Sequence, residues 1–239
     1  MRLAVVSDIH GNLAALEAVV ADFQRRGVDA VINLGDSLSG PLLPLETAQF
    51  LMAQDWIHLA GNHERQLLNV GPNTSMSDRY ALSQLGPNEL EWIATLPHTR
   101  SFDNDILLCH GAPGSDSTCL LQNAERSASA SEVDRRLGET EAELILCGHS
   151  HVPRQVRCRG KLIVNPGSVG QPAFADDYPY PHVIESGSPD ARYALLERHD
   201  AKWHASLIAV PYAFAAMAEL ANQRGRPDWA CALLTGYMS

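Results

Sequence analysis

The sequence predicts an α/β fold, and three observations carry that prediction. Short apolar runs alternate with helical patterns along the first two thirds of the chain, the signature of a sheet layered with helices. After residue 152 the character changes to strand-like segments joined by Gly, Pro and Asp turns. Finally, 239 residues of which 45% are apolar and 19% charged suit one domain with a large core. No internal repeat or low-complexity linker divides the chain, so a single domain over residues 1–239 is expected.

The elements follow in order. Leu3–Val6, Ala30–Leu34, Trp56–Ala60, Ile106–Cys109 and Leu144–Cys147 read as strands. Between the first two, Leu13, Leu16, Val19, Val20 and Phe23 recur at helical spacing, and Gly27 closes that helix. Pro44 opens a second helix through about Gln54, and Asn88 is expected to cap a third that ends before Pro97. Ser127–Ser131 reads as a helix start or a loop. Strands are expected near Gln155–Cys158, Leu162–Asn165, His182–Glu185, Arg192–Arg198 and Trp203–Val210. A helical stretch from about Pro211 to Arg224 follows, and the apolar tail Trp229–Tyr237 is expected to cover the core.

Charge and cysteine content narrow the partners. The formal net charge is −10 with no dense Lys/Arg cluster, the wrong sign for a general nucleic-acid or anionic-membrane surface. A phosphate-bearing small substrate remains compatible, because bound metal ions reverse the sign locally. No stretch approaches the roughly 18 uninterrupted apolar residues of a membrane span, and no signal peptide is read at the N-terminus. The five cysteines include no CxxC pair, and reduced thiols in the cytoplasm are expected. Monomer and homo-oligomer both stay open.

Chemistry concentrates at five strand ends. Val5-Val6-Ser7 leads into Asp8-Ile9-His10, Leu34 into Gly35-Asp36, and Ala60 into Gly61-Asn62-His63-Glu64. Cys109 leads into His110-Gly111, and Cys147 into Gly148-His149-Ser150-His151. Taken singly these have ordinary readings: a turn at Gly35-Asp36, a helix cap at Asn62, a core histidine at His110. Together they argue for one site, because open α/β sheets bind ligands beyond the carboxyl ends of their strands. Asp8/His10 and His149/His151 are i,i+2 pairs, which on extended backbone point to one side. Carboxylates, an amide oxygen and imidazoles without a thiolate suit Mn, Fe, Co, Ni or Zn better than Ca or Mg. Asn12 reads as a helix cap, with a phosphate contact as the second reading.

The ordered set DxH, GD, GNHE, H and GHSH resembles the calcineurin-like metallophosphoesterase superfamily, and Asn165-Pro166-Gly167-Ser168 is similar to a stretch in its small bacterial phosphodiesterases. The resemblance implies a four-layer α-β-β-α sandwich with two facing mixed sheets and two divalent metal ions, Mn²⁺ first among them. It implies that Asp8, His10 and His151 hold one ion, that Asn62, His110 and His149 hold the other, and that Asp36 bridges them. His63 would face the substrate phosphate as the catalytic histidine, protonating the leaving oxygen or stabilising the transition state, while a hydroxide shared by the metals attacks phosphorus.

Departures from the pattern narrow the substrate. Ser/Thr protein phosphatases carry arginines shortly after GD and directly before GNHE, whereas this chain has Ser37-Leu38-Ser39-Gly40 and Ala60 there. A carboxylate three residues after the bridging aspartate, able to orient His63, is replaced by Ser39. A phosphodiester or nucleotide-like ester is therefore the expected substrate. A phosphomonoester or dinucleoside polyphosphate is the alternative, and a silent binding scaffold on the same fold is the alternative of another class.

Overall fold

The computed structural model describes residues 1–177 and 181–239. Strands β1 (Arg2–Val6), β2 (Ala30–Asn33) and β3 (Ile57–His58) run parallel; β11 (Ala191–His199) adds antiparallel to β1 and β12 (Lys202–Val210) antiparallel to β11, giving a five-stranded sheet in the order β12-β11-β1-β2-β3. A second five-stranded sheet is ordered β4 (Thr99–Phe102), β5 (Ile106–Cys109), β6 (Leu144–Leu146), β8 (Lys161–Asn165), β7 (Arg154–Cys158), with β5, β6 and β8 parallel. A two-stranded ribbon of β9 (Ala173–Asp176) and β10 (His182–Glu185) stands apart from both.

Alternation along the strands stacks these sheets into layers. Leu3 and Val5 of β1 turn one way and meet Leu108, Leu144, Leu146 and Val164 in the core between the sheets. Ala4 and Val6 turn the other way and pack on Leu16, Val19 and Phe23 of helix α1 (Leu13–Arg26). On the far side, Ile145, Cys147 and Ile163 cover Val133 and Leu137 of α6 (Ala130–Leu137). The result is the α-β-β-α sandwich that the motif resemblance implied.

The remaining helices bracket the strand ends. They are α2 (Pro44–Met52), α3 (Asn62–Leu68), α4 (Met76–Gln84), α5 (Pro87–Thr95), α7 (Phe214–Gln223) and α8 (Pro227–Thr235). α4 escaped the sequence reading, being short and weakly periodic, and α3 entered it only as a helix cap at Asn62, the place that Gly61 takes. Asn88 is not the cap of α5. Gly86 holds that place and its amide donates to Glu89 Oε2 at 3.0 Å. Pro87 lacks an N–H and suits the first helical position, so the helix opens earlier. Ser129 does cap α6, accepting from the Glu132 amide. In the tail, Trp229 and Leu233 of α8 are buried against Leu42 and α7, the core role expected of it. No described helix is long and apolar enough to cross a membrane.

One buried histidine outside the strand-end constellation makes stability depend on pH. His58 lies between Trp56 and Trp92, with ring centroids 6.0 and 5.5 Å away. Asn33 Nδ2 donates to its Nδ1 at 3.3 Å, and its Nε2 is buried without a partner. Burial pushes its pKa from 6.5 down to about 4. Protonation therefore favours the unfolded chain: the contribution is intact above pH 6.5 and is lost as pH falls toward 4, at about 1.4 kcal/mol per unit. Urea unfolding at pH 7 and pH 5 should show His58→Phe losing about 2 kcal/mol less than the wild type on acidification. Equal losses would assign the acid sensitivity to other groups.

Candidate dinuclear metal centre

All five motif segments leave the carboxyl ends of parallel strands and meet at one place. Asp8 and His10 follow β1, Asp36 follows β2, Asn62 opens α3 after β3, His110 follows β5, and His149 and His151 follow β6. Two groups of donors form. In one, Asp8, His10 and His151 bring a ligand atom each to within 4.8 Å of one another; in the other, Asp36, His110 and His149 do the same. Asn62 Oδ1 joins the second at 3.2 Å from His110 Nε2. All seven residues singled out as ligands thus converge, with Asp36, expected as a bridge, placed in the second group.

The backbone achieves this differently from the extended pairs expected. Asp8, His10, Asp36, His149 and His151 have φ of 56°, 52°, 53°, 66° and 56°, in the left-handed region where a side-chain-bearing residue costs of order 1–3 kcal/mol. Neighbouring loops hold them there: the amides of Asp8 and His10 donate to Gly35 and Asp36 carbonyls, both at 3.0 Å. Two glycines admit the carboxylates. A Cβ on Gly61 would lie 2.2 Å from Asp36 Oδ1, and one on Gly148 would lie 2.0 Å from Ser7 Oγ and 3.0 Å from Asp8 Oδ2.

Hydrogen bonding tests whether cations fit. His10, His110 and His151 each turn Nδ1 toward a backbone carbonyl, of Ser39 at 2.7 Å, Leu34 at 2.9 Å and Gln171 at 2.8 Å. A carbonyl only accepts, so each Nδ1 carries the proton, and in a neutral ring Nε2 is left as a lone pair. His10 is held neutral, because burial and the neighbouring His151 push it down to about 3. Yet His10 Nε2 and His151 Nε2 stand 3.2 Å apart. Beside them the buried Asp8 Oδ1 accepts no hydrogen bond and lies 3.3 Å from His151 Nε2 and 3.9 Å from His110 Nε2. Lone pairs and a bare carboxylate oxygen crowded together are what a cation relieves. Burial opposes charging His110, but Asp36 and Asp8 outweigh it and push it up to about 10; a metal there displaces that proton. The residues fit two ions.

His63 lies beside this cluster, its ring 5.3 Å from that of His10. Its amide donates to Asp36 Oδ1 at 2.8 Å, and its Nδ1 lies 2.9 Å from Asp78 Oδ1. Burial works against its charge, but Asp36 and Asp78 prevail and push it up to about 9. Asp78 is the orienting carboxylate that seemed missing at Ser39. It comes from α4, is 1% exposed, and is fixed by Ser75 Oγ at 2.7 Å. Burial would raise Asp78, but the His63 bond and charge keep it below the usual carboxylate range. The signal was present in the sequence: Ser75-x-x-Asp78 is a helix-start pattern, and Ser75 does cap α4. Glu64, fully buried, accepts from the amides of Asp36, Ser37 and Gly61, all at 2.8 Å, and so ties two metal-side loops together.

The phosphate contact entertained for Asn12 is not what the structure gives that residue. Asn12 is fully buried; its Oδ1 accepts from the Ala15 amide, and its Nδ2 donates to Gly170 O and Tyr212 Oη. Capping α1 uses the whole side chain. Asn165 and Ser168 brace the turns below the site, through Gly148 O and Asp8 O.

A cleft of about 540 Å³ opens over the centre, with His10, Asp36, Asn62, His63, His149 and His151 at its base. Gln66 and Ser75 on its His63 side also line a neighbouring cavity of about 340 Å³.

The chain is similar to known proteins over nearly its whole length. The chain is 25% identical to a metallophosphoesterase from Sphaerobacter thermophilus whose crystal structure superposes with a TM-score of 0.76, over 98% of each chain. Hypothetical protein PH1004 from Pyrococcus horikoshii shares the fold at 18% identity and TM-score 0.76, over 100% of this chain and 99% of that one. The uncharacterized protein MJ0912 of Methanocaldococcus jannaschii is 24% identical over 95% of this chain and 94% of its own. A sequence model of the calcineurin-like phosphoesterase superfamily domain matches residues 1–184, the stretch that holds all seven candidate ligands, His63 and Asp78, and the chain belongs to that superfamily.

Proposed function

We propose that the protein is a dinuclear-metal hydrolase of small phosphodiesters or nucleotide-like phosphate esters. Superfamily membership supports a phosphoric ester hydrolase using divalent metals. The shape of the site supports the finer reading. Gln66 and Ser75 line both the cleft and a neighbouring cavity, and this second space is our reason for giving the phosphorus two ester substituents rather than one. Two ions, when bound, supply Lewis acidity and an activated water. The protein does the rest. Asp8, His10, Asp36, Asn62, His110, His149 and His151 would hold the ions. His63, charged and backed by Asp78, would face the leaving oxygen and hand it a proton. We keep Mn²⁺ as the first metal, with Fe, Co, Ni or Zn as substitutes, and the cytoplasm as the location.

Purified protein stripped of metal and resupplied with Mn²⁺ tests this directly. Bis(p-nitrophenyl) phosphate should be cleaved with higher kcat/KM than p-nitrophenyl phosphate. The reverse order would favour a phosphomonoesterase. Silence on both substrates with Mn²⁺, Fe²⁺, Co²⁺, Ni²⁺ and Zn²⁺ would favour a binding scaffold.

A further inference from the structure

The far wall of the cleft comes from outside the matched family region. Residues 1–184 carry the metal centre, but Arg226, Asp228 and Trp229 of the α7–α8 hairpin also line the cleft. Among the described residues Arg226 is the only arginine or lysine that does so. This is notable in a chain that lacks both arginines expected beside GD and GNHE.

The Arg226 side chain is 15% exposed and held on three sides. Its Nε lies 2.9 Å from Asp228 Oδ1, its Nη2 2.6 Å from Asp228 Oδ2, and its Nη1 3.0 Å from Ser77 Oγ. Its guanidinium carbon lies 5.7 Å from the Trp229 ring centre, and that ring is 6.1 Å from the His10 ring. One indole therefore separates the guanidinium from a candidate metal ligand. Gly40 keeps that indole close, since a Cβ there would stand 3.0 Å from its Cη2. Arginine has five N–H donors, and the three bonds leave two without a partner among the described residues. A cation pre-oriented by a carboxylate, with donors to spare in an active cleft, is a suitable phosphoryl clamp.

We infer that Arg226 binds a second phosphoryl group of the substrate, one position removed from the phosphorus that reacts. The inference rests on the hydrolase reading for the word substrate and deepens it. The preferred ester would be a compact molecule with two phosphoryl groups, such as a nucleoside diphosphate derivative or a bisphosphate. Asp177 also lines the cleft, and its charge would repel a long polyphosphate.

Calorimetric titration of the Mn²⁺-loaded protein with orthophosphate and with methylenebisphosphonate, in excess Mn²⁺, tests the clamp without relying on turnover. Wild type should bind the bisphosphonate at least about tenfold more tightly than phosphate, the range of a charge-assisted hydrogen-bond pair. Arg226→Gln should bring the two affinities within about twofold. Arg226→Lys should recover part of the difference, and Ser77→Ala, which leaves the ion pair in place, should lower it modestly. An unchanged ratio in Arg226→Gln, or equal weakening of both anions, would overturn the inference and leave Arg226 as the brace of α8. If Arg226→Gln fails to fold, Arg226→Lys and Ser77→Ala decide by the same ratio. Failure of the hydrolase reading is seen separately, as wild type that binds both anions and turns over no ester.

Discussion

Asp36→Asn should lower kcat/KM by more than about 100-fold and release metal from the protein, measured as turnover and as bound metal after gel filtration. Exchange of a residue that merely orients a ligand typically costs 10–100-fold, and Asp36 stands in the ligand set itself. Its Oδ2 lies 2.9 Å from His110 Nε2 while Oδ1 accepts the His63 amide. Burial alone would raise its carboxyl, but His110 and His63 outweigh that and hold it well below the ordinary range. It is thus an anion at every pH where the enzyme would work, and the amide that replaces it is nearly isosteric but neutral. The variant should fold, because the Glu64 tether bonds the Asp36 and Ser37 backbone amides rather than the Asp36 side chain. Full metal occupancy with near-normal turnover would remove Asp36 from the centre.

His63→Ala should slow kcat by about 10²- to 10⁴-fold, the usual contribution of a positioned acid or base, with metal content unchanged. Asp78→Asn should lower kcat by up to about 10⁴-fold, the loss that follows when the carboxylate behind a proton-transferring histidine is made neutral. The pH profile separates this from a general weakening. Against burial, Asp36 and then Asp78 raise the His63 pKa to about 9, and bound dications will lower it from there. Activity should therefore fall as pH rises through the His63 value. In Asp78→Asn that descending arm should move to lower pH, because a raising charge has gone. In His63→Ala it should disappear. A profile identical in all three proteins would mean that His63 transfers no proton in the limiting step. Loss of metal in His63→Ala would make it a ligand instead.

The candidate centre was legible in the sequence because its parts sit at strand ends, and apolar strands are easy to see. Leu3–Val6 and Ile106–Cys109 announce themselves by composition, so the polar residues directly after them stand out. The histidine side of the dyad was equally visible. Its partner was not, because Asp78 lies in a nine-residue helix whose weak periodicity gives little warning, and only folding brings it across 15 positions to His63. The i,i+2 pairs illustrate a right result reached by another route. Asp8 and His10 do turn to one place, but through left-handed turns braced by the Gly35–Ser37 loop rather than through extended backbone.

By itself, then, the chain determined its layers and its donors: periodicity dictates which faces are buried, and residue chemistry dictates what can bind a cation. What only the tertiary structure decided is which groups surround those donors. Asp78, Arg226 and the carbonyls that fix three imidazole tautomers reach the cleft from distant segments. Such contacts depend on how helices and loops close over the sheet ends, and loop closure leaves no period in the sequence. Local pattern reports burial; orientation at a site depends on long-range packing.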